Sequence, residues 1–169
     1  MTHPRSGFAA PPQEGAASGP AEPAPRRLLD GLPMPFERPL RIRFAHCDPA
    51  GIVFFPQYLV MVNNLVEDWV SDALGIRYAE LLAKRRIGLP TVSLHCEFTA
   101  ISRMGDEVTM GLGVQRLGHR SITLQLGCRM GDEQRMSIRQ VLVCTSLETH
   151  RAIDIPADLR AAIEKFGST

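Results

Sequence analysis

The chain lacks a cysteine pair at metal-ligand or redox spacing. Cys47, Cys96, Cys128 and Cys144 are scattered, with no CxxC and no histidine at zinc spacing from a cysteine pair. No metal site is expected from them, and they read as small buried hydrophobes in a reducing compartment. Neither sign of charge is in excess. Lys plus Arg number 19 against 18 Asp plus Glu, so no global field draws the protein to nucleic acid or to a membrane surface. A phosphate-bearing ligand would need a local basic cluster. There is no run of 18 apolar residues, which excludes a transmembrane helix. The N-terminus also lacks the basic start and apolar core of a signal peptide. A cytoplasmic protein is expected. No internal repeat is visible.

What is present is one ordinary domain's worth of chain, 169 residues with 44% hydrophobic and 22% charged. Nine of the 13 prolines precede Leu40. Residues 1–37, rich in Pro, Ala and Gly, have too little to bury and are expected to form a disordered tail. The folded domain is expected over 38–169.

Within that domain Pro39 to Phe44 alternates apolar and charged residues, the period of a half-buried strand. Asp48-Pro49-Ala50-Gly51 then breaks the pattern as a turn. Pro56 suits a helix's first turn. Leu59, Val62, Val66, Trp69, Val70 and Ala73 recur at helical spacing and Gly75 supplies a stop, which predicts a helix of about 18 residues. A short helix is expected around Tyr78 to Arg86. Four strand-like runs follow: Pro90 to Thr99, Asp106 to Arg116, Ser121 to Met130, and Gln134 to Leu147. The last three read as an antiparallel meander. Ile155-Pro156-Ala157-Asp158 opens a closing helix. The order is α+β, a long helix on an antiparallel sheet.

A strand running into His46-Cys47-Asp48-Pro49-Ala50-Gly51-Ile52-Val53-Phe54-Phe55-Pro56-Gln57-Tyr58, then a long helix, resembles the 4-hydroxybenzoyl-CoA thioesterase family of hot-dog proteins. Arg151-Ala152-Ile153-Asp154-Ile155-Pro156-Ala157-Asp158 is similar to the same family's closing pattern. The resemblance implies a hot-dog fold, an antiparallel sheet of about five strands wrapped around a long central helix. It also implies pairing into a homodimer or homotetramer, an active site at the dimer interface, and hydrolysis of an acyl- or aryl-CoA, or of an acyl-carrier-protein thioester, without a cofactor.

Thioester hydrolysis needs a group that activates the attack and a donor for the oxyanion. The resemblance assigns the first role to Asp48, as general base or as nucleophile. It assigns the second to the backbone N–H of Phe55, where the dipole and the unpaired amides of a helix start favour negative charge. His46, which replaces an acidic residue of the family, could share a strand face with Asp48 and modulate it. Coenzyme A calls for arginines or backbone donors. Arg116, Arg120 and Ser121 stand where the family carries a basic run ending in serine, while Gly118 and His119 depart from that run. Two rivals remain: a hot-dog hydratase or dehydratase, which would need a histidine–acid pair, and a non-catalytic acyl-CoA binding protein.

Overall fold

The computed structural model describes residues 33–167. Most of the expected tail, 1–32, lies outside the described residues. The first strand, β1 (Phe36–Arg41), starts just ahead of residue 38. Phe36, Arg38 and Leu40 pair with Leu112, Met110 and Val108, all buried, so the even positions of β1 face the core. Pro39 is tolerated because β1 is an edge strand.

The strand does not run on to Phe44 as its alternation predicts. The ladder ends where Ile42 N–H reaches Asp106 O at 2.8 Å. Beyond Asp106 the neighbouring chain turns away, so the backbone must find partners locally. It does so in a 3₁₀ turn, Phe44–His46, with His46 N–H to Arg43 O and Cys47 N–H to Phe44 O, both at 3.0 Å.

Helix α1 (Phe55–Asp68) follows, with Pro56 in its first turn. Tyr58, Met61, Val62, Leu65 and Val66 form its buried stripe. It runs directly into a π-helical segment, Trp69–Ala73, and Gly75, at φ +67°, stops it. Then come α2 (Tyr78–Ala83), β2 (Ile87–Gly88), β3 (Thr91–Phe98), β4 (Glu107–Leu117), β5 (Ser121–Met130), β6 (Glu133–Val143), β7 (Thr145–Ser146) and α3 (Ala157–Gly167). The run read as one strand from Gln134 to Leu147 is two. At Cys144 the chain leaves the main sheet, and β7 pairs with β2 in a separate ribbon.

The main sheet is antiparallel throughout in the order β1-β4-β5-β6-β3. Its inner face supplies Leu112, Ile122, Leu124, Leu126, Met136, Ile138 and Leu142, each no more than 1% exposed. Trp69 from the π-segment closes this core and meets Phe166 of α3 edge-on at 5.7 Å between ring centroids. The β3 edge is less well covered. Leu94 and Phe98 pair with the buried Gln140 and Met136 and so face inward, yet they are 40% and 48% exposed.

Candidate active site

The segment between β1 and α1 is a pinned loop. Cys47 and Val53 bridge across its neck. At its tip Asp48 N–H donates to Ile52 O at 3.1 Å, Gly51 N–H to Asp48 O at 2.9 Å, and Ala50 N–H to the Asp48 carboxylate Oδ1 at 2.8 Å. This is an Asx-type turn, which Asp favours. Gly51 sits at φ +74°, where a side chain would be strained. The loop is fastened to the protein by Val53 N–H to Ser102 O at 2.9 Å and Phe54 N–H to His46 O at 3.0 Å. Asp48 is half-buried. Its second carboxylate oxygen has no hydrogen-bond partner among the described residues.

Phe55 is the first residue of α1. Gln57 N–H already closes on Phe54 O at 2.8 Å, and Pro56 has no N–H. That leaves Phe55 N–H, which has no acceptor among the described residues and carries the positive end of the helix dipole. Phe54 and Phe55 are 47% and 57% exposed. Beside them Phe55, Tyr58, Phe98, Ile101 and Ser102 surround an apolar hollow of about 140 Å³. Tyr58 donates to Ser102 Oγ at 2.7 Å at its wall, and burial raises the Tyr58 pKa.

His46 does not share a strand face with Asp48, because the strand has ended at Arg41. It closes the 3₁₀ turn instead, and its Nδ1 accepts Arg43 N–H at 3.0 Å. Burial, and then the Arg43 charge, push its pKa below the ordinary 6.5. A neutral imidazole whose Nδ1 accepts must carry its proton on Nε2. That ring lines a groove of about 200 Å³ between α1 and β1.

Arg116, Arg120 and Ser121 lie at the β4–β5 turn. Arg120 Nε donates to Asp154 Oδ1 at 2.7 Å, and this bond with the Arg120 charge holds Asp154 below its usual pKa. Arg160 donates to Gly118 O at 2.6 Å. A Cβ at Gly118 would meet Ser121 Oγ at 2.8 Å, so the turn is tightly closed there. Asp154 and Arg160 are distant in sequence, and only the fold brings them to this turn. Arg116 opens onto a surface cleft beside Glu164.

One chain does not bring these arginines to Asp48. The Asp48 loop is tied to Ser102 and sits at the Asp106 end of β4. The arginines sit at the other end of that strand, which is 11 residues long, a contour of roughly 33 Å at 3.3 Å per residue. Among the described residues, no three metal-capable side chains converge, and no helix is long and apolar enough to cross a membrane.

Five antiparallel strands in this order with α1 across their inner face define the class: a hot-dog thioesterase. Residues 42–163 match the thioesterase-like superfamily, and the chain belongs to that family. It is 28% identical over 126 residues to 4-hydroxybenzoyl-CoA thioesterase of Pseudomonas sp. (strain CBS-3), covering 70% of this chain and 89% of that protein. It is 22% identical over 125 residues to 1,4-dihydroxy-2-naphthoyl-CoA hydrolase of Synechocystis sp., covering 73% and 90%. A gentisyl-coenzyme A thioesterase structure superposes with a TM-score of 0.70 at 26% identity, covering 76% of this chain and 99% of that one.

Proposed function

We propose that the protein hydrolyses an acyl-CoA, and foremost an aryl-CoA, to the free acid and CoA. Asp48 activates the attack and Phe55 N–H binds the oxyanion. The observation that carries this reading is the uncommitted Phe55 amide at the start of α1, next to a loop whose turn uses only one of the two Asp48 carboxylate oxygens. As general base, Asp48 takes a proton from water as the water oxygen bonds the carbonyl carbon. The tetrahedral oxyanion then collapses, the carbon–sulfur bond breaks, and the proton passes to the CoA thiolate. As nucleophile, Asp48 forms a mixed anhydride as CoA leaves, and water opens it. Both routes give the same products and use the same donor. The aryl preference rests on the relatives, which are named for 4-hydroxybenzoyl, dihydroxynaphthoyl and gentisyl thioesters.

The working unit in this reading is a homodimer paired through β3. Its inward-facing Leu94 and Phe98 are uncovered, and an unpaired edge invites a strand. A two-fold axis across β3 runs the two edges antiparallel. It therefore sets the Asp48 end of one copy beside the Arg120 end of the second. That arrangement joins the carboxylate to a basic turn that one chain holds apart.

The test follows released thiol over aryl- and fatty acyl-CoAs, wild type against Asp48→Asn. The variant should keep substrate binding and lose at least about 10²-fold in rate. Equal rates in both proteins, or none in either across the panel, would sink the reading.

A further inference from the structure

We propose that Ser102 is a positioning residue of the thioester site: it holds the chain on both sides of Phe55 and so sets where the Phe55 amide stands against Asp48. This rests on the roles proposed above for those two residues and says what keeps them in register. Ser102 is 1% exposed and lies ahead of β4. Its backbone oxygen accepts Val53 N–H at 2.9 Å, just before Phe55. Its Oγ accepts the Tyr58 hydroxyl at 2.7 Å, about one turn along α1 after Phe55. Asp48 is tied to the same strip of loop, because its N–H donates to Ile52 O at 3.1 Å and Ile52 bridges to Arg103. Ser102 and Arg103 therefore grip the loop on the carboxylate side and the helix on the donor side.

Ser102 is itself anchored. In the turn that follows it, the Asp106 carboxylate accepts Arg103 N–H at 2.8 Å. That turn is tied to the end of β1 by Gly105 N–H to Ile42 O and Ile42 N–H to Asp106 O, both at 2.8 Å, and Ile42 is buried. The grip is thus referred to the sheet and not to the loop's own turn. Packing alone does not call for hydroxyls here. Tyr58 is buried and lines an apolar hollow, where a Phe–Ala pair would leave no polar group to desolvate, at nearly equal stability. What the hydroxyl pair adds is direction. Phe98 meets the Phe55 and Tyr58 rings at 6.4 and 5.6 Å between centroids. Apolar contact of that kind is non-directional and lets a ring slide, whereas an O–H···O bond fixes a length and an angle. A displacement of about 1 Å at a reacting centre can cost about 10²-fold in rate.

The test separates positioning from packing by comparing Ser102→Ala with the double variant that adds Tyr58→Phe. Ser102→Ala leaves the buried Tyr58 hydroxyl without its acceptor, so it should unfold at lower urea than the double variant, in which both polar groups are gone. The rate should not follow the stability: kcat of the double variant for benzoyl-CoA should stay at least about tenfold below wild type. Recovery of kcat along with the urea midpoint would reduce the pair to packing and overturn the inference. A second readout needs no turnover. By calorimetry, wild type should bind the S-phenacyl thioether of CoA, which offers a ketone oxygen, at least about threefold more tightly than the S-phenethyl thioether, which has none. The double variant should bind the two alike. A ketone gain that survives in the double variant, or is absent from wild type, overturns the inference. Asp48→Asn keeps the two proposals apart. Hydrolysis by that variant at the wild-type rate removes the role proposed for Asp48, and the ketone gain then decides Ser102 alone.

Discussion

The N–H of Phe54 donates to the carbonyl oxygen of His46 at 3.0 Å, fastening the start of the long helix to the end of the 3₁₀ turn. Asp48 and Phe55 lie on either side of that fastening. Their relative placement therefore depends on the short loop between them, and that loop depends on Gly51.

Gly51 holds φ +74°, and a Cβ there would meet nothing within 4 Å. The penalty of Gly51→Ala is thus backbone strain alone, about 1 kcal/mol. Gly131 has φ +57° and similarly open space, at the β5–β6 turn and outside the Asp48 loop. Gly131→Ala should cost about the same stability. Only Gly51→Ala should also lower kcat, by about tenfold or more, because a displaced carboxylate misses the reacting geometry. Denaturation midpoints and kcat for both variants check this.

A composite site makes a sharper demand. Asp48→Asn and Arg120→Glu should each be nearly inactive as homodimers. A heterodimer of the two holds one intact site, with Asp48 from one copy and Arg120 from the other. Refolding the two variants together in equal amounts should restore up to about a quarter of wild-type activity. No gain over the separate variants would mean that the arginine does not serve a site across the interface.

Much of this arrangement is legible in the sequence, and the exceptions share a cause. Ser121 to Met130 is readable because period-2 alternation survives wherever one sheet face is buried. The long helix and its stop are readable because helical spacing and Gly75 are local signals. The end of β1 is not: its alternation continues through Phe44, and what stops the strand is the loss of a partner beyond Asp106. Ile87–Gly88 and Thr145–Ser146 are too short to carry any period. At the proposed site, the motif is what singles out Asp48 and Phe55. The pairing of Arg120 with Asp154, 34 residues away, exists only in three dimensions, as does the distance between Asp48 and the basic turn.

His46 predicts a pH dependence of stability. Its folded pKa lies below the ordinary 6.5, through burial first and Arg43 second. As pH falls through 6.5 the unfolded chain takes up the proton before the folded protein does, so stability decreases. The contribution is complete above 6.5 and is lost as pH falls toward the folded value, below which the curve levels. Urea midpoints between about pH 5 and 8 should show this slope. His46→Gln should flatten it, and an unchanged slope would assign it to other groups.

The cysteines predict a quiet background in the thiol assay. Burial pushes the Cys128 thiol up to about 12, and burial with Glu97 pushes Cys96 up to about 11. Burial also raises Cys144. Because the thiolate is the reactive form, these three should react with a disulfide reagent at about pH 8 only on unfolding. Cys47, partly exposed with its Sγ 3.6 Å from Arg43 O, should account for any fast phase. Cys47→Ser should abolish that phase, and a rapid burst of several thiols from the native protein would contradict the packing.

The β3 edge gives the most direct test of assembly. Leu94 faces inward next to Gln140 yet is 40% exposed, as expected of a side chain that a second copy covers. Leu94→Glu would place a carboxylate on each side of the two-fold axis, where like charges and an apolar surface oppose pairing. Because the side chain is already partly solvated in one chain, the substitution should leave the protomer folded, with far-UV dichroism unchanged. Light scattering should show a monomer, and activity should fall at least about 10²-fold as the basic turn is withdrawn from Asp48. Activity should return in part at high protein concentration, since association is set by mass action. A fully active monomer would place both halves of the site within one chain, against the roughly 33 Å along β4 that separate them.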